Sequence, residues 1–219
     1  MMSTPRHGRT RKPPAARRAE ILTAAVRIAL GEGLDRITLR AVADSLDVRP
    51  GLVHHYFPAV EDLIVEAFRT AAATERSALF EATGTPLERM SRLLTSLTGP
   101  QAQAGHRLWS SARHISRSSA AMAMAVEELE ELGRAQMTEL IREGMGSGDF
   151  GDVDATATCV RIYMAIDGFG AYANSPLPFG HEAYEFFVAD VAEWALDLAR
   201  GTLRARASRG ATGTTVERS

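Results

Sequence analysis

The sequence predicts an all-α fold, with an N-terminal three-helix domain that carries a helix-turn-helix and a larger helical domain after it. Three observations support this. Apolar residues recur at i, i+3, i+4 and i+7 in one segment after another, which gives each helix a stripe to bury. Gly, Pro and capping residues fall where those segments begin and end. No segment shows the apolar/polar alternation of a strand.

Taken in order, residues 1–16 combine four basic residues with Pro, Gly, Ser and Thr and show no periodic apolar pattern, which predicts an arm disordered when free. Such an arm either lies on phosphates or in a minor groove, or serves as an unbound solubilising tail. From Arg17 to Gly33, Ile21, Leu22, Ala25, Ile28 and Ala29 mark an amphipathic helix stopped by Gly31 and Gly33. A second helix is expected from Leu39 to Leu46, with Leu39, Val42, Ala43 and Leu46 on one stripe and Thr38 as its N-cap. Asp47 suits a turn that needs positive φ, Val48 plugs the angle, and Pro50 opens the next helix, where its missing N–H costs nothing. A long helix is expected from Ala59 towards Ala82, and another from Pro86 to Gly99. Further helices hold His106, Trp109 and Arg113, then span Ser119 to Met145, Val153 to Asn174 and His181 to Leu203. The glycines of GMGSGDFGD follow a helix and not a strand, so they read as a helix stop and not as a nucleotide loop. Beyond Arg204 the composition is tail-like.

Two short helices joined by a tight turn can place one of them in a DNA groove, so residues 38–63 direct the functional reading towards DNA. Arg49 through Tyr56 form the expected recognition helix. Arg49 suits a guanine edge or a phosphate, and Arg40 on the preceding helix is a second base or phosphate candidate. Gly51 lets the backbone approach the groove, Leu52 either touches a thymine methyl or packs, and Pro50 and His54 complete the candidate surface.

The segments RRAEILTAAVRIALGEG and YFPAVEDL resemble the first helix and the recognition-helix exit of the TetR family of bacterial repressors, over about Arg17 to Phe68. The chain departs from that pattern at Arg49, where a Ser or Thr cap is usual, at Leu52, where a small hydroxyl residue is frequent, and at Val60, where a phosphate-contacting Lys is common. The resemblance, together with their chemistry, implies phosphate contacts by Thr38, His55 and Tyr56. It also implies a palindromic operator read by a dimer, and repression relieved by a small-molecule effector.

Charge is divided along the chain in the same sense. Residues 1–60 hold ten Arg or Lys against five Asp or Glu, and the remainder fifteen against twenty-two, within a net charge of -2. A basic end can engage phosphates while an acidic body stays off the duplex. The single Cys159 excludes an intrachain disulfide and agrees with a reducing cytoplasm, and no apolar run approaches the ~20 residues of a membrane span. The N-terminus lacks the apolar region of a signal peptide. A cytoplasmic protein is expected, with no cofactor and no metal.

The domains expected are a disordered arm at 1–16, a helix-turn-helix DNA-binding domain at 17–62, a helical effector-binding and dimerisation domain at 63–203, and a tail at 204–219. In the second domain Cys159, Ile162, Ile166 and Phe169 form one apolar stripe, and Phe187, Val191, Trp194 and Leu198 another. Packed against their copies they would form a four-helix, two-fold interface; the alternative is that both stripes are spent inside one chain. Met90, Leu94, His106, Trp109, Arg113, Met122, Tyr163, Met164 and Asp167 combine apolar walls with a few polar groups, which suits an effector pocket and equally suits a core.

Catalysis is not expected. The six histidines form no convincing site, since His54 and His55 diverge on a helix and His106 and His114 lie about 12 Å apart along one. No HExxH pair or nucleophile elbow is present. The competing function is a DNA-binding regulator without a small-molecule effector, controlled by abundance or by a protein partner. A nucleoid-type protein would instead bind DNA without sequence preference.

Overall fold

The computed structural model describes residues 13–175 and 180–204, and among them the ordered elements are all helical. They are α1 Pro14–Gly31, a 3₁₀ turn Leu34–Arg36, α2 Leu39–Ser45, α3 Pro50–Tyr56, α4 Val60–Phe80, α5 Pro86–Thr98, a 3₁₀ turn Pro100–Ala102, α6 Gln103–Ile115, α7 Ala120–Ser147, α8 Ala155–Ala173, α9 Glu182–Glu185 and α10 Phe187–Ala195. The chain divides into two compact units between Ala67 and Phe68, inside α4.

In the first unit, helix α1 buries Ile21, Ala24, Ala25, Ile28 and Ala29 and packs against α2 and the 3₁₀ turn, and Leu34, Ile37, Val42, Ala43, Val53 and Phe57 are buried in the same unit. Each fully buried Leu or Ile contributes about 1.5–3 kcal/mol. The Arg18 guanidinium clamps Glu66 through two bonds of 2.6 Å and lies 4.6 Å from the centre of the Phe57 ring, tying α1 to the start of α4. Of the arm expected at 1–16, residues 1–12 lie outside the described residues. The remainder is a correction, because Pro14 opens α1 and the helix starts three residues before Arg17. Proline suits that first helical position because its φ is already set.

The second unit is organised around α8, which packs against α5, α6, α7 and α10. Met90, Leu93 and Leu94 from α5, Met137, Leu140 and Ile141 from α7, and Val188 and Ala192 from α10 close on it. Gly144 is where α7 admits the turn after it: a Cβ there would lie 2.0 Å from the Phe150 ring. The α7 helix ends on Gly148, whose φ of 78° is the left-handed cap that glycine accepts at little cost.

Two expectations are corrected here. Cys159, Ile162, Ile166 and Phe169 do not face outwards; all four are buried inside the chain by the helices that surround α8. The long helix expected from His181 to Leu203 is broken. It bends at Phe186 between α9 and α10, and it ends at Ala195, followed by Asp197 with φ 53°. Leu198 therefore lies beyond α10 and is half-buried. The buried face of α10 is Val188, Ala192 and Ala195, while Phe187 and Trp194 are exposed. The tail beyond residue 204 lies outside the described residues.

Candidate nucleic-acid interface and ligand cavity

Local chemistry fixes the helix-turn-helix. The Thr38 hydroxyl accepts the Ala41 amide at 3.0 Å and caps α2. Leu46 ends that helix, Asp47 takes φ 51°, and the Val48 amide returns to the Ala43 carbonyl at 3.0 Å, which completes the tight turn. Arg49 then occupies the N-cap of α3 in extended conformation with no side-chain cap bond, and Pro50 stands at the first helical position. Since a capping side chain is worth ~1 kcal/mol, Arg49 gives up that stabilisation and keeps its guanidinium uncommitted to the cap.

Val53 anchors α3 in the core of its unit. At 100° per residue, Gly51, His54 and His55 lie on the opposite face, and all three are exposed. A Cβ at Gly51 would meet nothing within 4 Å, so the backbone there is open to close approach. Leu52 and Tyr56 are half-buried on the flank, and the Tyr56 ring meets His55 edge-on at 5.2 Å. Thr38 and Arg40 are exposed at the start of α2, and Arg40 has a weak 3.7 Å pairing with Asp44. Thus Thr38, Arg40, Arg49, Pro50, Gly51, His54 and His55 reach solvent, and Leu52 and Tyr56 do so in part.

The second unit holds a cavity of about 560 Å³. His106, Trp109, Arg113, Tyr163, Met164 and Asp167, all singled out in the sequence, line it. Met90, Leu94 and Met122 do not; they are buried in packed apolar contacts, and Leu93 and Leu97 face the cavity from α5 in their place. Met164 lines the cavity while remaining 62% exposed.

The cavity's charged groups form two sets. Arg113 donates from Nε to Glu130 at 2.9 Å and from Nη1 to Asp167 at 3.0 Å, joining α6, α7 and α8. Separately, the Trp109 indole N–H donates to Glu75 at 3.0 Å, and the indole packs edge-on against Phe68 at 5.2 Å. Burial pushes the Glu75 carboxyl above the usual carboxylate range, against the downward pull of the Trp109 bond and of His106. His106 is placed by its Nε2 on the Leu97 carbonyl at 2.8 Å, with its ring against Gly170, where a Cβ would lie 2.3 Å from Nδ1.

Sequence reasoning missed Glu75, Arg76, Glu130 and Arg134. A signal for Glu75 was present: with Phe68, Ala71, Ala72 and Leu79 it falls at helical spacing on an otherwise apolar face of α4. Among the described residues no group of His, Cys, Asp and Glu is arranged to hold a metal ion, and no helix is long and apolar enough to cross a membrane.

Known proteins resemble the chain in two ways. Over 86 residues it is 38% identical to the HTH-type transcriptional repressor KstR of Mycolicibacterium smegmatis, covering 37% of this chain and 41% of that protein. Over 81 residues it is 33% identical to the HTH-type transcriptional regulator BetI of Rhizobium meliloti, covering 36% and 40%. The chain therefore spans about two fifths of the length of the curated relatives it matches. Its fold is shared more widely. A putative transcriptional regulator from Saccharomonospora viridis, solved with choline, superposes with a TM-score of 0.71 at 21% identity, over 82% of this chain and 96% of that one. A putative TetR-family regulator from Rhodococcus sp. superposes at 0.68 with 16% identity, over 83% and 99%. Residues 21–67, which hold α2, the turn and α3, match the bacterial regulatory proteins of the tetR family.

Proposed function

We propose that the protein is a homodimeric, sequence-specific transcriptional regulator that represses from a palindromic DNA operator and is released by a small molecule held in the cavity of its second unit. The observation that carries this reading is α3 itself. It is anchored by Val53 on one side, while Arg49, Gly51, His54 and His55 are uncovered on the other. Base contacts fall to Arg49, Arg40 and Leu52, and phosphate contacts to Thr38, His55 and Tyr56.

A dimer is supported by the apolar surface that the chain leaves open. Val160, Met164 and Tyr172 on α8 and Phe187 and Trp194 on α10 are exposed, and the Arg161 guanidinium lies 5.0 Å from the Trp194 ring between the two helices. Large exposed apolar groups on neighbouring helices suit a two-fold helical interface, with Val191 and Leu198 half-buried beside them. Two α3 helices related by that axis would read half-sites about one helical turn apart. The cavity supports an effector, since its size and its apolar walls with a few polar groups are those of small-molecule sites. Effector binding would shift the population away from the DNA-competent state. The cytoplasm is the proposed location.

Selection of binding sites from a random duplex library with the full chain tests the reading. A two-fold symmetric motif is expected; failure to enrich any motif contradicts it.

A further inference from the structure

We infer that the cavity selects organic cations, seating a cationic head at the Glu75 carboxylate beside Trp109 and an apolar body along Leu79, Leu93 and Leu97. This rests on the reading of the cavity as an effector site, and goes beyond it by naming the ligand class.

The cavity's charge pairing points to Glu75. Arg113 is matched by Glu130 and Asp167, and Arg134 by Glu130 and Glu131. Arg76 donates from Nη1 to Gln136 at 3.0 Å and makes no ion pair among the described residues. Among the described residues Glu75 accepts one hydrogen bond, from a neutral indole, and pairs with no Arg, while His106 exerts an electrostatic pull on it. A carboxylate withdrawn from water without a close ion pair is costly, and a cation placed against it offsets that cost. A head of diffuse, weakly hydrated charge gives up least on leaving water.

The carboxylate is also held in place. Glu75 Oε1 rests against Gly105 on α6, where a Cβ would come within 2.2 Å of it. A side chain at position 105 would therefore move the carboxylate and leave its charge intact. The opposing feature is Arg76, whose Nε is buried with no acceptor and would favour an anion. An anion entering this cavity would, however, meet Glu75, Glu130 and Asp167 on its walls, while two of the three guanidiniums are already paired.

The test compares three head groups on one octyl chain: octyltrimethylammonium, octan-1-ol and octanoate. Each is titrated calorimetrically into the unmodified full-length protein, with tryptophan fluorescence as a second readout. The cation is expected to bind at least about tenfold more tightly than the alcohol or the anion, equivalent to about 1.4 kcal/mol. Glu75→Gln keeps an acceptor for Trp109 and is expected to abolish that preference while octan-1-ol affinity holds. Gly105→Ala is expected to weaken the cation selectively. Tightest binding of octanoate, equal binding of cation and alcohol, or a preference that survives Glu75→Gln would overturn the cation inference and leave the effector reading standing. Silence from all three ligands, in protein that still binds its selected DNA, would overturn the effector reading as well.

Discussion

The buried carboxylate of Glu193, 2% exposed, accepts the backbone amide of Leu203 at 2.7 Å. Its other oxygen takes the Gly201 amide at 2.8 Å. One side chain of α10 thus caps the helical turn at 202–204 and brings Leu203 into the core around α8. Leaving such amides unpaired costs about 1–3 kcal/mol. Glu193→Ala is therefore expected to lower unfolding free energy by about 2–4 kcal/mol, with Glu193→Gln losing less, as read from chemical denaturation. Equal stability of Glu193→Ala and the unmodified protein would show that this turn contributes nothing to the core.

Arg49 is exposed and makes no cap bond, so Arg49→Ala should leave thermal stability unchanged while weakening DNA binding. If it reads a base, loss of about 1–3 kcal/mol is confined to the preferred site; if it holds a phosphate, all duplexes weaken together and the salt slope falls by about one. Binding titrations at several salt concentrations separate the two. Unaltered affinity on every duplex would remove Arg49 from the interface.

Much of the first unit was legible because its grammar is local. Thr38, Asp47 and Pro50 each specify a backbone state within three or four residues, and the structure has the cap, the positive φ and the helix start at those positions. The second unit was harder to read for a physical reason. Periodicity shows that Cys159, Ile162, Ile166 and Phe169 share a buried stripe, but not whether the covering surface is the same chain or another. Met90, Leu94 and Met122 posed the same ambiguity between core and cavity. The bend at Phe186 carries neither Gly nor Pro, and an acidic residue such as Glu75 reads as solvent-facing until its neighbours are seen.

Glu75 also predicts a pH dependence. Burial raises its carboxyl above the usual range, so the folded chain retains a proton that the unfolded chain releases. Its contribution to stability is then fully present below the unfolded pKa and is lost as pH rises through the folded pKa. Glu75→Gln does not titrate, so its stability relative to the unmodified protein should increase as pH rises across that interval. Denaturation curves collected from acid to neutral pH check this; a difference independent of pH would contradict it.

Trp194 is 67% exposed, more than any α10 neighbour that packs on α8. In the proposed dimer it becomes a central anchor, and Trp194→Glu is expected to weaken self-association by about 2 kcal/mol or more. Sedimentation equilibrium should show dimers for the unmodified protein and monomers for the variant at the same concentration. Dimers of undiminished strength in the variant would move the interface elsewhere.

The central claim is that α3 reads sequence. The most direct measurement is the affinity of the full-length protein, at physiological salt, for a duplex selected from the random library and for the same duplex with its bases shuffled. A specificity ratio of about a thousandfold or more, with two-fold symmetry in the selected site, is the result this account predicts. Equal affinity for both duplexes, falling steeply with salt, would contradict it and identify a protein that binds DNA through its charge alone.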